Sequence, residues 1–325
     1  MASPPGLTRR CRRRVAPAEG GRRLDALLRQ WLPAVLGRPL SNASVRRLIL
    51  GGAVRLDGRP TRRPAEALRE GARVEALVRL DLLAETRRDG ERAVTLNAGS
   101  LLYEDGSLVA FDKPAGLAMH ATADPARPDF FSLAERFLAE RRGAAVRLGL
   151  HQRLDRETSG VVLFTLDPAA DAPLAAAFAG RAVTKTYEAL THRPRGGPRA
   201  AWTVTGLLGP VGRGRAQRMG PVPRDGQAAE TRFRLVEDLG RALLVEARPL
   251  TGRKHQVRAH LASSGCPVLG DALYGPGLRS PVPADRALLH ARRLELRHPL
   301  PGAPLRIESP RPPDFEAALA ALRSR

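Results

Sequence analysis

The sequence predicts an α+β protein built from two domains of unequal size. Its 325 residues suit either one large domain or two unequal ones. Hydrophobic residues make up 43% of the chain, which is enough for a sizeable core. Some segments carry apolar residues at helical spacing, and others carry the alternating or continuous apolar runs of strands. Helices and strands are therefore both expected.

The N-terminal region is predicted to hold a basic tail and a small compact domain. Residues 1–20 are rich in Arg and Pro, a composition that favours a disordered tail. Residues 21–80 carry periodic apolar segments that predict two helices and two short strands, at 24–32, 45–50, 53–56 and 73–77. A Gly pair at 51–52 ends the second helix.

The rest of the chain is interpreted as a linker and a larger domain. Residues 81–100 form the predicted linker, and residues 101–325 form the domain. It opens with a hairpin in which two apolar runs flank Asp105-Gly106. Periodicity further predicts two helices and a second hairpin, at 131–142, 168–180 and 229–247. Residues 192–228 are rich in Gly, Pro and Arg, and are predicted to be long loops on a sheet edge.

The charge balance points to a polyanionic partner. The net charge is +21 and the pI about 11.5, and nucleic acid is the natural polyanion. A compositional preference for Arg explains why Lys113, Lys185 and Lys254 are the only lysines, but not the excess over 33 acidic residues. No segment approaches the ~18 apolar residues that span a bilayer. Two cysteines, Cys11 and Cys266, fit a reducing compartment.

Asp155 lies between two arginines just before a predicted buried strand. Arg153 and Arg156 flank it, and a Ser159-Gly160 turn leads into the apolar run 161–164. Arginine stays charged at any working pH, so it favours the ionised form of a neighbouring carboxylate. An ionised Asp on a loop beside a rigid strand suits a nucleophile or a base. The same spacing suits a structural ion pair, and these residues alone leave both readings open.

Three blocks of sequence together resemble one protein family. Residues 151–160 (HQRLDRETSG) resemble the motif H-R-L-D-x-x-T-S-G, residues 183–190 (VTKTYEAL) resemble K-x-Y-x-A-L, and residues 248–261 resemble T-G-R-x-H-Q-I-R-x-H-L. These are motifs, in the same order, of the RluA family of RNA pseudouridine synthases. The resemblance covers about residues 101–300. It departs from the family pattern at Gln152, where the family has His.

The N-terminal domain has a weaker resemblance of its own. The order of helices and strands in residues 21–80 resembles the alpha-L RNA-binding module, which is shared with a small-subunit ribosomal protein and precedes many pseudouridine synthases. The excess of arginine is dense in this region. A basic helix face against phosphates is therefore expected at Arg46 and Arg47, with Arg55 close by.

The resemblance implies a role for each matching residue. Asp155 matches the catalytic carboxylate, Arg258 the arginine that pairs with it, and Tyr187 the tyrosine that stacks on the flipped uracil. The implied contacts with substrate RNA are basic side chains of these blocks, of the K-P-x-G-L segment and of the second helix: Lys113, Arg153, Arg156, Lys185, Arg253, Arg46 and Arg47. The reaction re-attaches uracil through carbon 5, and it needs no cofactor and no metal.

The resemblance also implies a fold and a partner. It predicts a mixed, mainly antiparallel sheet flanked by helices, with the active cleft running across the sheet. The expected protein is a cytoplasmic monomer acting on RNA, ribosomal rather than transfer RNA, with no membrane partner. One rival is a non-enzymatic, ribosome-associated RNA-binding protein, but binding alone needs no set of Asp155, Tyr187 and Arg258. A metal-dependent nuclease is a second rival, but it would need an acidic cluster that the motifs lack.

Overall fold

The chain folds into two compact units, each with its own sheet. The structure is a computed structural model that describes residues 8–37, 40, 45, 48–49, 52–79, 95–120, 128–212 and 217–324. The main boundary between the units falls between Thr95 and Leu96. Among the described residues, no helix is both long enough and apolar enough to cross a membrane.

The N-terminal unit packs an amphipathic helix against a four-stranded antiparallel sheet. The sheet has the order β1-β4-β2-β3. Its strands are β1 (Thr8–Arg14), β2 (Val54–Leu56), β3 (Arg59–Thr61) and β4 (Arg73–Arg79). Helix α1 (Leu24–Leu36) buries leucines at helical spacing, namely Leu24, Leu27, Leu28 and Leu32. The predicted strands at 53–56 and 73–77 are confirmed, whereas β3 was not predicted.

Only part of the predicted second helix belongs to the described residues. Val45, Leu48 and Ile49 are helical, and Val45 and Ile49 are buried in the core of the unit. Arg46 and Arg47, the predicted phosphate contacts on this helix, lie outside the described residues. Most of the predicted linker, namely residues 81–94, lies outside them as well.

The basic tail predicted for residues 1–20 is, over Thr8–Arg14, a strand. This strand, β1, pairs along its whole length with β4. Cys11 and Val15 are buried in the core of the unit, and Glu75 on β4 forms ion pairs with two arginines of β1. The prediction of disorder was wrong here because the arginine density masked the two apolar positions that the core buries.

The larger unit is built on an eleven-stranded sheet. Its strands are β5 (Leu101–Glu104), β6 (Leu108–Lys113), β7 (Gly149–Leu150), β8 (Ser159–Thr165), β9 (Thr184–His192), β10 (Ala201–Val211), β11 (Arg218–Val222), β12 (Gln227–Asp238), β13 (Ala242–Pro249), β14 (Leu289–Arg297) and β15 (Pro304–Glu308). Its helices within the described residues are α2 (Phe130–Arg142), α3 (Asp171–Ala179), α4 (Gln256–Ser263) and α5 (Pro313–Arg323).

Strand β14 joins the two halves of this sheet. The main path runs β11-β10-β12-β13-β9-β14-β8-β6-β5, with β15 added to β14 and β7 added to β8. Among the described strand pairs only β8 and β14 are parallel, so the expected mixed, mainly antiparallel sheet is confirmed. Helix α4 packs across β11, β12 and β13, which brings its N-terminal turn beside the Asp155 loop.

Several local predictions in this unit are confirmed. The hairpin around Asp105-Gly106 is formed by β5 and β6, and the second hairpin by β12 and β13. The helix predicted for residues 131–142 begins one residue earlier. The segment predicted as a helix over 168–180 starts with a 3-10 turn and continues as α3.

The prediction of long loops over residues 192–228 was wrong for much of the segment. It contains β10 and β11, which form one edge of the sheet. The glycines and Pro210 of β10 interrupt the apolar alternation that normally reveals a strand. Strand β10 nevertheless forms, because its backbone groups pair with those of β12.

Candidate active site

Asp155 lies on the loop between β7 and β8, in the wall of a cavity. A hydrogen bond of 3.1 Å from the Thr158 N–H to the Asp155 carbonyl closes a turn in this loop. The cavity has a volume of about 620 Å³, which lies within the roughly 300–1,000 Å³ of small-ligand sites. The Asp155 side chain is 22% exposed, so its carboxylate can meet a ligand.

Gly160 allows the strand that follows this loop to approach β14 closely. Its φ is +118°, and a Cβ at this position would overlap the backbone carbonyl of Ala291. Any other residue would therefore push apart the parallel pair of β8 and β14. Beside it, the Ser159 hydroxyl and the His290 Nδ1 are hydrogen-bonded at 3.0 Å. These contacts hold the base of the Asp155 loop.

Arg258 on α4 links Asp155 to a second carboxylate, Asp271. Its Nη1 donates to Asp155 Oδ2 at 3.3 Å, while its Nε and Nη2 donate to Asp271 Oδ2 and Oδ1 at 2.7 and 2.9 Å. Burial lowers the pKa of the guanidinium, but Asp271 and then Asp155 outweigh burial and raise the pKa above its ordinary value. Arg258 is therefore a permanent cation with two anionic partners.

Asp271 is the residue that fixes Arg258, and the sequence had assigned it no role. Its side chain is 0% exposed, and its Oδ1 also accepts the backbone N–H groups of Leu273 and Tyr274, both at 3.0 Å. The Tyr274 ring lies with its centroid 5.1 Å from the Arg258 guanidinium carbon, a cation–π distance. The signal available in the sequence was the G-D-x-x-Y-G pattern over residues 270–275.

Tyr187 projects from β9 into the same cavity as Asp155. Its strand lies between β13 and β14, where Tyr187 pairs with Ala247 and Ala291. Both neighbours are alanines, whose small side chains leave the Tyr187 ring accessible from the cavity. Burial, and next the negative charge of Asp155, raise the pKa of the Tyr187 hydroxyl. Tyr187 is therefore neutral at physiological pH and offers a flat apolar face with an O–H.

The sequence resemblance implied that Lys113 contacts RNA phosphate, but its side chain is directed into the protein. It is 0% exposed, and its Nζ donates to four backbone carbonyls. These belong to Thr158 (2.9 Å), Pro114 (3.0 Å), Arg156 (3.2 Å) and Asp155 (3.5 Å). Burial lowers its pKa to about 7. The expected phosphate contact is thus corrected: Lys113 holds the Asp155 loop from beneath.

The other predicted basic contacts fall into two groups. Arg153 is exposed, and Lys185 and Arg253 are half-buried, and all three line the cavity. The Lys185 Nζ donates to the Thr251 carbonyl at 3.2 Å, and burial lowers its pKa. Arg156 is turned elsewhere: its Nε donates to the Gly116 carbonyl at 2.8 Å. Arg156 therefore fastens the Asp155 loop to the turn after β6.

Gln256 orders the segment that precedes α4. Its Oε1 accepts from the Thr251 hydroxyl (2.8 Å) and the Arg253 N–H (2.9 Å), while its Nε2 donates to the Glu230 carbonyl at 2.9 Å. His255, at the start of α4, has a φ of +55°, a costly conformation for a non-glycine residue. Such strain persists only where the surroundings impose it, and here it brings the His255 ring into the cavity.

His151, which lies one position before the histidine position of the family motif, has a structural role. His151 Nε2 lies 3.2 Å from the Thr165 hydroxyl and 3.4 Å from Asp171 Oδ1. Gln152, at the family's His position, donates from Nε2 to the Val161 carbonyl at 3.3 Å. Both side chains attach the loop to β8 and α3. Within the described residues, no group of three His, Cys, Asp or Glu side chains is arranged to hold a metal ion.

The ion pair of Asp155 and Arg258 and the ring of Tyr187 thus share one cavity. The sequence profile described as RNA pseudouridylate synthase matches residues 107–263. The chain belongs to this family, in its RluA branch. It is an RNA pseudouridine synthase, and the rival of a non-enzymatic RNA-binding protein is not favoured.

Named relatives resemble the chain over nearly its whole length. It is 33% identical over 329 residues to the ribosomal large subunit pseudouridine synthase D of Xanthomonas campestris pv. campestris, covering 95% of this chain and 91% of that protein. It is 30% identical to the protein of the same name from Pseudomonas aeruginosa, covering 94% and 93%. Among solved structures, human RNA pseudouridylate synthase domain containing 4 superposes with a TM-score of 0.56 at 27% identity, covering 75% and 96%.

Proposed function

We propose that the protein isomerises uridines of ribosomal RNA to pseudouridine, with Asp155 as the catalytic carboxylate. The observation that carries the proposal is the ion pair between Arg258 and a partly exposed Asp155, inside a cavity walled by Tyr187. The relatives named as ribosomal large subunit synthases support ribosomal RNA as the substrate. Bacterial ribosomal RNA lies in the cytoplasm, and the enzyme is proposed to work there.

The proposed roles follow from the geometry of the cavity. A uridine in a stacked helix hides its glycosidic bond, so the target nucleotide must flip out into the cavity. Tyr187 provides a flat surface for the uracil, and Arg258 keeps the Asp155 carboxylate ionised and aimed at the nucleotide. The glycosidic bond breaks, the base turns while held, and a bond from carbon 5 to the same sugar carbon replaces it. Carbon 5 releases its hydrogen as a proton, and N1, no longer bonded to the sugar, takes up a proton, so the product is an isomer of the substrate.

The cations around the cavity are proposed to hold the RNA backbone. Arg153 is exposed at the rim, where it can contact the phosphate beside the flipped nucleotide. Lys185 and Arg253 supply two further positive charges. The enzyme is proposed to act as a monomer.

The N-terminal unit is proposed to be an RNA-binding domain of the alpha-L type. Arg46 and Arg47 are proposed to contact phosphates, and Arg55 on β2 is exposed. Each phosphate contact contributes about 0.9 to the slope of log binding constant against log salt on duplex nucleic acid. The variant Arg46→Gln/Arg47→Gln should flatten this slope by about 1.8, and an unchanged slope would remove these residues from the interface.

The reaction and its substrate are tested together by tritium release. Uridine labelled at carbon 5 loses tritium when pseudouridine forms, so unmodified ribosomal RNA and transfer RNA are labelled and incubated separately with enzyme. Release from ribosomal RNA by the wild type but not by Asp155→Ala is the expected result. Release from transfer RNA alone would reassign the substrate. Tight, salt-sensitive binding with no release from any RNA or ribosomal particle would favour a binding protein.

A further inference from the structure

A second cavity lies at the opposite end of α4 from Asp155. It has a volume of about 440 Å³. Its walls include Trp202 of β10, Arg195 and Arg199 of the loop before β10, and Ser264 and Cys266 after α4. The reaction described above uses none of these residues. Its combination of an aromatic ring and two guanidinium groups is typical of sites for single-stranded nucleic acid.

Trp202 is held in a fixed orientation. Its ring stacks on Phe233 of β12, with centroids 5.0 Å apart and planes 19° apart. Its indole Nε1–H donates to the Ser264 hydroxyl at 3.1 Å. The side chain is half-buried, and part of it lines the cavity. A tryptophan fixed in this way needs no ordering before a planar ligand packs against it.

The two arginines of this cavity differ from the neighbouring Arg193. Arg193, in the same loop, forms an ion pair with Asp238 and donates to the Gly240 carbonyl at 3.1 Å. Arg195 and Arg199 are exposed and have no acidic partner within the described residues. Arg199 and Cys266 both line the cavity; burial raises the pKa of the Cys266 thiol to about 11, and the charge of Arg199 opposes that rise. The cavity therefore carries uncompensated positive charge.

The second cavity is close enough to the first to take part of the same RNA. Gln256 and Arg258, in the first turns of α4, line the Asp155 cavity, and Ser264 just beyond its last turn lines the second one. The eight residues of α4 span about 12 Å at 1.5 Å per residue. A single strand whose target uridine occupies the first cavity can therefore reach the second with a nucleotide only a few positions away.

We propose that this cavity binds an unpaired nucleotide of the substrate RNA other than the one that reacts. Its base lies against Trp202, and its phosphate lies between Arg195 and Arg199. The inference rests on RNA being the substrate, and it adds a second point of recognition beside the target uridine. Such a site selects RNA in which a nucleotide near the target is unpaired, because a base held in a helix cannot enter.

Tryptophan fluorescence tests the site without measuring activity. The chain has two tryptophans, Trp31 in the N-terminal unit and Trp202, and neither lines the Asp155 cavity. In the variant Trp31→Phe/Asp155→Ala, Trp202 alone reports binding. Titration with uridine 5′-monophosphate and with a short oligouridylate should quench it. Adding Arg195→Gln/Arg199→Gln should weaken this binding at least about tenfold, and the matched control Arg193→Gln should not.

A second measurement follows recognition of the full RNA. For the otherwise wild-type enzyme, Trp202→Ala should weaken RNA binding about 5- to 100-fold, as loss of one stacked base does. Arg195→Gln/Arg199→Gln should reduce the salt slope by about 0.7, the contribution of one single-strand phosphate contact. Both should raise KM for RNA with little change in kcat.

The outcomes separate this proposal from the proposed function. Quenching without tritium release from any RNA supports the cavity and overturns the reaction assignment. Tritium release with no quenching, and with unaltered KM and salt slope in both variants, overturns the second site and leaves the reaction untouched. In that case Trp202 and Phe233 serve only as core.

Discussion

Arg258 contacts two carboxylates that the protein treats very differently. Asp271 has a side chain that is 0% exposed and accepts four hydrogen bonds, two from Arg258 and two from backbone N–H groups. Asp155 is 22% exposed, and Arg258 approaches it at 3.3 Å through one nitrogen. The same cation therefore has one tightly bound anion and one loosely bound anion.

This difference agrees with the proposed roles, in which Asp271 supports the site and Asp155 reacts. A carboxylate whose lone pairs are filled by fixed donors is well placed to hold a neighbour but poorly placed to attack or accept a proton. Asp155 keeps lone pairs that face the cavity, while the charge of Arg258 still stabilises its anion. Asp271 thus fixes Arg258, and Arg258 orients Asp155 without saturating it. Four predictions follow this division from the largest effect to the smallest.

Removal of the proposed catalytic carboxylate should have the largest effect. Asp155→Ala is expected to lower kcat by about 10⁴-fold or more, as loss of a principal catalytic group does. RNA binding should stay within a few fold, since the basic side chains remain. Tritium release and filter binding of the same RNA measure the two quantities. If Asp155→Ala retained a substantial rate, another residue would have to be the catalytic group, and the contrast drawn between Asp155 and Asp271 would be wrong.

Asp271→Asn should give the next largest effect, through Arg258. The amide donor would face the guanidinium N–H groups, so Arg258 would lose its anchor and turn or shift. We expect kcat to fall about 10²-fold, the scale of a small misplacement of a reacting group, with KM for RNA within a few fold. Breaking a buried pair should also reduce the free energy of unfolding by about 3 kcal/mol.

Asp238→Asn is the control for this variant. It removes a surface ion pair with Arg193, whose contribution is about 1 kcal/mol or less, and it should leave kcat unchanged. Assays are run well below the melting temperature of both proteins. If Asp271→Asn lost stability but kept its kcat, Asp271 would be a fold residue only, without a part in orienting Asp155.

Lys113→Met should affect the same site from the side of the Asp155 loop. Methionine fills the volume but leaves four carbonyl oxygens without their donor, at about 1–3 kcal/mol for a buried unsatisfied group. We expect a loss of that size in the free energy of unfolding and a kcat about tenfold lower, because the loop loosens. Lys254→Met, at an exposed lysine, is the matched control. Equal behaviour of the two variants would contradict the anchoring role.

The pH dependence of stability should report on the helix that carries Arg258. His260 on α4 is hydrogen-bonded to the Thr231 hydroxyl at 2.9 Å, and burial lowers its pKa to about 4. Between pH 4 and the ordinary value near 6.5, the unfolded chain binds a proton that the folded chain does not. The stabilisation is complete above about pH 6.5 and decreases as pH falls towards 4.

Urea unfolding across this range measures the effect. We expect a loss of roughly 1 kcal/mol per pH unit from His260, with His290, whose pKa burial also lowers to about 4, adding a similar slope. His260→Gln keeps a hydrogen-bonding group opposite Thr231 and should flatten the profile. An unaltered profile would mean that His260 is not neutral in the folded protein.

The sequence motifs revealed the proposed catalytic residues more readily than the residues that support them. Asp155, Tyr187 and Arg258 could be located because each belongs to a run of characteristic residues. The part played by Asp271 depends on its burial against a residue on another element, and local spacing does not report burial. The prediction for Lys113 was wrong for the same reason. Lysine is usually exposed, so its ammonium group was expected in solvent rather than beneath a loop.

The fold shows a similar limit. Segments with clean periodicity, such as α1 and the β12–β13 hairpin, were predicted close to their bounds. Strands β1 and β10 were missed because charge in one, and Gly and Pro in the other, concealed the alternation. Both lie at or near sheet edges, where less side-chain surface is buried and the apolar signal is weakest.

The place of β14 in the sheet affects how the enzyme is made. Residues of β5, β6 and β8 emerge from the ribosome early, and those of β9 to β13 later, but among the described strands the sheet path joins these groups only through β14. Since this strand begins at Leu289, about nine-tenths of the chain must be synthesised first. Contacts so distant in sequence form slowly. We therefore expect nascent chains to stay catalytically silent until synthesis is nearly finished.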